Sequence, residues 1–329
     1  MLDGTESTFE FALSNDLSRE PAGDPSVAVL LCTKNGEQYL ADQMASLERQ
    51  TFQNFKVFVS DDGSTDATIA MLDEYIDAWG HDRISVYEGP LKGFARNFLS
   101  ISCRRIVEAD YYAWCDQDDI WNNDKLENAV RKLSAVPCHE PALYCSRTEL
   151  IDANGQHIGF SPFFTRPADF RNALVQNIAG GNTMVFNHAL MSLLREAGDE
   201  VPAVSHDWWA YMIVSGCGGV ILYDDVPSVR YRQHSANCVG ANAGVFEKSK
   251  RIKQLLHGRF RFWMDQNLIA LQAISHRFTS ENVRALEKFG SARQSKFLGR
   301  MLGIQRAGIY RQTFMGNVGL TVAALMRRI

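Results

Sequence analysis

Short strand patterns alternating with helical patterns between residues 27 and 115 constrain this chain more than any other feature. Val27 to Cys32 is a continuous apolar run, as expected of a strand buried on both faces of a parallel sheet. Thr33-Lys34-Asn35-Gly36 stops it, and a helical pattern follows from Glu37 to Gln50 with Leu40, Met44 and Leu47 on one face. Phe55 to Val59 is a second strand, ending in Ser60-Asp61-Asp62-Gly63-Ser64-Thr65-Asp66, and a helix runs from Thr65 to Trp79. Arg83 to Tyr87 is a third strand, Phe94 to Val107 a third helix and Tyr111 to Cys115 a fourth strand. β-α units of this length imply right-handed crossovers and a parallel sheet, an α/β fold with helices on both faces. Ligands of such sheets bind beyond the carboxyl ends of the strands, where each polar cluster falls.

The fourth strand runs into Asp116-Gln117-Asp118-Asp119. Carboxylates this close repel one another in a partly buried setting, so the cluster requires a hard divalent ion or a fixed positive group. Mg²⁺ or Mn²⁺, shared between carboxylates and substrate phosphates, is the natural candidate. The plainer alternative is an acidic loop before a helix starting near Asn122, with Asp119 as its cap. A dinucleotide fingerprint is absent after the first strand, and neither a P-loop nor the glycine-rich, arginine-containing loop of a nucleotidyltransferase is present.

Three segments carry a resemblance: Val29 to Gly36, Val59 to Asp66, and Cys115-Asp116-Gln117-Asp118-Asp119-Ile120-Trp121. They resemble the family 2 glycosyltransferases of GT-A fold, and Gly180 to Asn187, His206-Asp207-Trp208-Trp209 and Tyr231-Arg232-Gln233-His234 extend the likeness. The Asp-Gln-Asp-Asp-Ile-Trp and Arg-Gln-His spellings look most like the bacterial rhamnosyltransferase branch, over residues 27–240. The resemblance implies that Asp61 or Asp62 meets a pyrimidine ring beside Thr33 and Asn35, with Asp116 and Gln117 also on the nucleotide-sugar. It implies Asp116, Asp118 and His234 around Mn²⁺ or Mg²⁺, while Lys92 and Arg96 are nucleotide contacts or a solvated helix start.

Transfer requires a base opposite the leaving diphosphate, because the acceptor hydroxyl has a pKa far above neutral. Asp207 is the candidate, with Trp208 and Trp209 as apolar surface for stacking a sugar; the alternative is a helix N-cap. Gly180, Gly181 and Asn182 open a strand on the acceptor side, where glycine permits close backbone approach, or form a simple turn. The implied activity is inverting, metal-dependent transfer of L-rhamnose from dTDP-L-rhamnose to a bacterial cell-surface polysaccharide or lipid-linked glycan. The alternatives are a UDP-hexose-dependent transferase of the same fold and a non-catalytic nucleotide-sugar or glycan-binding module.

The expected division is a flexible tail over 1–25, a catalytic domain over 26–242 and a basic helical region over 243–329. Residues 1–25 lack the basic start and apolar core of a signal peptide, and no run approaches the length of a membrane span. The seven scattered cysteines, with no C-x-x-C, fit reduced thiols in a cytoplasmic protein. Residues 245–329 carry 16 Lys and Arg against 4 Asp and Glu, leaving 18 against 34 for the rest. The basic helices fit an anionic membrane surface, on the cytoplasmic face of the inner membrane, or equally a packing appendage or homodimer contact. No reading motif accompanies them, so nucleic acid is not an expected partner.

Overall fold

The structure, a computed structural model, describes residues 23–234 and 258–329. The expected boundary at 242/243 and nearly all of the expected tail lie outside the described residues, as does Cys238. Cys32, Cys103, Cys115, Cys138, Cys145 and Cys217 are free thiols.

The alternation of patterns produces β1 (Val27–Thr33), α1 (Leu40–Glu48), β2 (Phe55–Asp61), α2 (Thr68–Trp79), β3 (Ile84–Glu88), α3 (Phe94–Cys103) and β4 (Tyr111–Asp116). All four strands pair in parallel, in the order β3-β2-β1-β4. Every residue of β1 is buried, and alternate residues serve opposite faces. Ala28, Leu30 and Cys32 join Tyr112, Trp114 and α3 in one core, whereas Val27, Val29 and Leu31 join Ala113, Cys115 and α1 in the other.

Beyond β4 the sheet becomes mixed. After β5 (Ile120–Trp121) and α4 (Lys125–Leu133) come β6 (Ala142–Ile151), β7 (His157–Phe160), the short helix α5 (Phe170–Ala173), β8 (Val185–Asn187), α6 (His188–Ala197), α7 (His206–Gly216) and β9 (Val220–Arg232). β8 pairs antiparallel with both β4 and β6, β6 runs parallel to β9, and β5 closes antiparallel on β9. The Asp116–Asp119 loop therefore lies between the end of β4 and a strand held by β9, so residues 232–234 return to it.

Four further helices follow among the described residues: α8 (Arg259–Leu271), α9 (Ser280–Gln294), α10 (Phe297–Arg306) and α11 (Phe314–Leu325). Met264, Leu271, Ile274, Phe278, Phe289 and Ile304 belong to the same apolar core as α7 and one face of the sheet. Asn282 donates to the carbonyls of Ser215 and Gly216, satisfying carbonyls at the end of α7, and Trp263 lies edge-on to Trp208. No described helix is long and apolar enough to cross a membrane.

Candidate active site

At the β1–β2 end, carboxylates are held by local donors. Asp61 accepts hydrogen bonds from the Thr33 hydroxyl (2.7 Å), the Gly63 and Ser64 amides and the Ser64 hydroxyl, which fills the acceptor capacity of a carboxylate. Asp62 accepts from the amides of Leu91 (2.6 Å) and Gly93 (2.8 Å), keeping capacity for a further donor. Of the two expected pyrimidine contacts, Asp62 is thus the one able to receive a ring N–H. Asn35 holds a left-handed φ of 49°, and its side-chain oxygen accepts from the Thr65 amide. Leu91 has φ 58°, unusual for a branched side chain, and stands 71% exposed where a Cβ on Gly63 would strike it.

Gln117 ties the first loop to the fourth. Its side-chain oxygen accepts from the Lys34 amide (2.8 Å) and its nitrogen donates to the Lys34 carbonyl (3.0 Å), mimicking a strand pair between the first and fourth loops. That packing requires Gly36, because a Cβ there would lie 2.3 Å from the Gln117 amide oxygen. Lys92 and Arg96 are likewise engaged elsewhere. Lys92 pairs with Glu200 at 3.0 Å, and Arg96 donates to the carbonyls of Asp199 and Glu200.

The β4–β5 end is short of donors. Among the described residues none donates a hydrogen bond to the Asp116 carboxylate, and burial with the negative charge of Asp119, Asp118 and Asp207 pushes its pKa well up. Asp118 meets the His234 ring nitrogen at 2.8 Å, with both side chains mostly buried. Asp119 is fully buried and does not cap the following helix, whose N-cap position belongs to Asp124. It accepts instead from Asn182 (2.6 Å) and the Arg232 amide (3.0 Å), and burial together with Asp118 raises its pKa to about 7.

Two basic residues that sequence reasoning gave no role in the site lie beneath this cluster. Lys125 is fully buried, donates to the Asn182 carbonyl at 2.6 Å and stands 3.2 Å over the Trp121 ring; burial lowers its pKa to about 7. It falls on the same face as Ala129 and Leu133, so a lysine in an apolar helical stripe was the available signal. Arg232, also buried, donates to the Asp118 and Ala153 carbonyls and to the Asp42 carboxylate, and lies over the Tyr39 ring. It thereby fixes the Asp118 backbone and, two residues along, His234, whose ring packs on Tyr39.

Asp207 lies in the first turn of α7, with Ser205 as the N-cap residue, so it is not itself the cap. Its carboxylate accepts from the Ser205 hydroxyl (2.5 Å), the Trp208 amide (2.7 Å) and the Gly181 amide (3.3 Å). Gly180 and Gly181 do not open a strand; Gly181–Thr183 form a 3₁₀ turn ahead of β8. A Cβ on Gly181 would meet the His206 ring at 2.4 Å, so this turn needs glycine to approach α7. The same turn supplies Asn182 to Asp119 and Lys125, joining the base candidate to the acidic cluster through one short segment.

Residues 28–196 match the model described as Glycosyl transferase family 2. The chain belongs to that family. This family 2 glycosyltransferase is 27% identical to the dTDP-rhamnosyl transferase RfbG of Shigella flexneri over 68% of this chain and 78% of that one. It is 22% identical to an uncharacterized glycosyltransferase, RT0329, of Rickettsia typhi over 81% of each chain. Among solved structures it shares its fold, GT-A, with S. aureus TarS 1-349 in complex with UDP-GlcNAc, at TM-score 0.50 and 17% identity, covering 87% of this chain and 93% of that one.

One pair of expected acceptor contacts in this transferase is corrected by burial. Trp209 is fully buried, and Trp208, 6% exposed, donates its indole N–H to the Ala173 carbonyl at 2.6 Å. Both rings pack the core beneath Asp207 and offer no face to a sugar. Beside them His206 is fully buried with neither ring nitrogen hydrogen-bonded among the described residues, stacked 4.0 Å from Phe98, and burial lowers its pKa to about 4.

No three His, Cys, Asp or Glu side chains among the described residues converge closely enough to hold an ion unaided. The donor set nevertheless fits a hard divalent cation. Asp116 presents a carboxylate without a hydrogen-bond donor among the described residues, and the Asp118–His234 pair would add oxygen and imidazole ligands.

Proposed function

We propose that this glycosyltransferase transfers L-rhamnose from dTDP-L-rhamnose, with inversion, to a bacterial surface polysaccharide or lipid-linked glycan. The observation that carries the reading is the donor-poor Asp116 carboxylate within electrostatic reach of Asp207, with Asp207 and the neighbouring Asp119 both hydrogen-bonded to the Gly181–Thr183 turn. A carboxylate that accepts no hydrogen bond from a described residue suits a cationic complex, and a second carboxylate, Asp207, held in place by its own hydrogen bonds, suits proton removal. The name of the Shigella flexneri relative supports dTDP-rhamnose as donor.

In this reading Asp62, Thr33 and Asn35 line the pyrimidine end. Asp116, Asp118 and His234 would hold Mn²⁺ or Mg²⁺, with remaining ligands from the diphosphate. When bound, the ion would offset charge on the departing diphosphate. Asp207 accepts the acceptor's hydroxyl proton as that oxygen bonds to the anomeric carbon from the side opposite the leaving group. The anomeric carbon's bond to the diphosphate oxygen breaks, and dTDP leaves with the electron pair. The Gly181 amide and Ser205 hydroxyl hold the Asp207 carboxylate in one orientation for that transfer.

Thermal-shift titration with dTDP-L-rhamnose, UDP-glucose, UDP-galactose and UDP-N-acetylglucosamine, each with and without Mn²⁺ or Mg²⁺, tests the donor and the metal together. The expected result is metal-dependent stabilisation strongest with dTDP-L-rhamnose, lost in Asp118→Asn. A preference for a UDP-hexose would overturn the donor, metal-independent binding would overturn the cation, and binding with neither transfer nor donor hydrolysis would indicate a binding module.

A further inference from the structure

The last two helices present an apolar surface to solvent. On α11, Phe314, Met315, Val318, Val322 and Leu325 are 81%, 72%, 40%, 40% and 37% exposed, and Met326 just beyond is 46% exposed. At 100° per residue these six side chains share a strip about 120° wide, while Leu320, Ala323 and Ala324 bury the other side. On neighbouring α10, Phe297, Leu298 and Leu302 are 54%, 71% and 47% exposed. A monomer gains nothing from showing this much apolar side chain to water, so the surface is built to be covered.

Charge identifies the cover. Residues 288–329 contain eight Lys and Arg and no Asp or Glu. Lys296, Arg306 and Arg327, at the ends of α10 and α11, are exposed, whereas Arg300 is buried, donating to the Ala324 carbonyl, which ties α10 to α11, and to the Ser295 carbonyl just ahead of α10. A second copy docked through this face about a twofold axis would bring like charge onto like charge. An anionic lipid surface receives both features, apolar side chains entering between headgroups and basic ones meeting phosphates.

We infer that α10 and α11 lay their exposed apolar strip into an anionic bilayer surface, lying in its plane. The inference rests on the proposed lipid-linked acceptor and adds where the enzyme meets the membrane. The same region is fastened to the segment leading into the Gly181 turn. Arg311 donates to the Val175 carbonyl, Gln312 and Gln176 are hydrogen-bonded, and Asn172 donates to the Tyr310 carbonyl. Attachment through α11 therefore holds the acceptor side of the site at a fixed place relative to the lipid.

The test uses the full chain with vesicles of phosphatidylcholine alone and of phosphatidylcholine mixed with phosphatidylglycerol, at low and high salt. Co-sedimentation with the mixed vesicles at low salt is expected, with weaker binding to neutral vesicles and release as salt screens the charges. The double variant Phe314→Glu/Val318→Glu should partition at least tenfold more weakly with an unchanged circular dichroism spectrum and melting temperature. Lys296→Glu/Arg327→Glu should lose only the preference for phosphatidylglycerol. Absence of binding at low salt, or equal binding by the Phe314→Glu/Val318→Glu variant, overturns the inference. So does a dimer, seen by light scattering, that this variant dissociates without any vesicle binding. Hydrolysis of dTDP-L-rhamnose without vesicles reads the active site alone, so vesicle binding with no hydrolysis would remove the dTDP-L-rhamnose reading and leave the membrane surface supported.

Discussion

The two ends of the site solve the problem of buried negative charge in opposite ways. At the β1–β2 end, Asp61 and Asp62 receive local hydrogen bonds, four of them on Asp61, so their charge is compensated before any ligand arrives. At the β4–β5 end, Asp116 has no donor among the described residues, Asp119 relies on an amide and a backbone N–H, and buried Lys125 is the counter-charge beneath them. The first end is a rigid cradle, in which a ligand finds a shape already made. The second is left electrostatically incomplete, and completion by ligand is what a binding site for a cationic complex requires.

The largest effect that would break this comparison is at the proposed base. Asp207→Asn keeps the shape of the first turn of α7 and removes the proton acceptor, so transfer should fall by about 10²–10⁴-fold with donor binding preserved. Single-turnover rates and donor titration check it. Near-normal transfer would mean that the incomplete end does its chemistry without Asp207.

Next in size is the buried lysine. Removing one partner of a buried charged set costs about 3–5 kcal/mol, and Lys125→Met leaves Asp116, Asp119 and the Asn182 carbonyl uncompensated. Urea denaturation should show a loss of that order. Adding Asp119→Asn to Lys125→Met should recover part of it, since the charge left alone is then removed. A double variant no more stable than the single one would show that Lys125 acts through packing on Trp121 rather than as counter-charge.

A smaller but sharper contrast comes from one substitution made at each end. Asp61→Asn disrupts hydrogen bonds to an ionised acceptor and should cost about 1.5–3 kcal/mol. Asp116→Asn removes repulsion and loses no hydrogen bond from a described residue, so the protein without ligand should be as stable or more stable. Equal destabilisation by the two variants would mean that the ends do not differ in the way their hydrogen bonds suggest.

Much of this was legible in the sequence, for local reasons. The β1–β4 half follows from apolar runs and helical periodicity, and Asp118, His234 and Asp207 follow from motif spelling. The antiparallel half was not, because β5 has two residues and β8 three, and their pairing with β9 and β6 depends on contacts remote in sequence. Trp208 and Trp209 misled because α7 has no polar stripe: every residue from His206 to Gly216 except Asp207 is buried, so periodicity could not say which way the rings point. The Gln117 bridge was hidden for a different reason. Its partner is the backbone of Lys34, and a backbone partner leaves no mark in composition beyond the Gly36 that makes room.

The smallest expected effect concerns Lys92, where the two ends meet through the loop before α3. Lys92 and Glu200 are 55% and 74% exposed, so their pair at 3.0 Å is screened by water and Lys92→Ala should change stability by about 0–1 kcal/mol. Donor affinity then separates two roles for the same side chain. If Lys92 only bridges to the loop ahead of α7, donor affinity should change less than twofold. If it leaves Glu200 to meet the diphosphate, affinity should fall about tenfold or more at unchanged stability, because a lost ionic contact to phosphate removes on the order of 1.5–3 kcal/mol. Isothermal titration at two salt concentrations distinguishes them, since a phosphate contact weakens with salt. The second outcome would make the rigid end responsive to ligand as well, narrowing the difference between the two ends to their carboxylates.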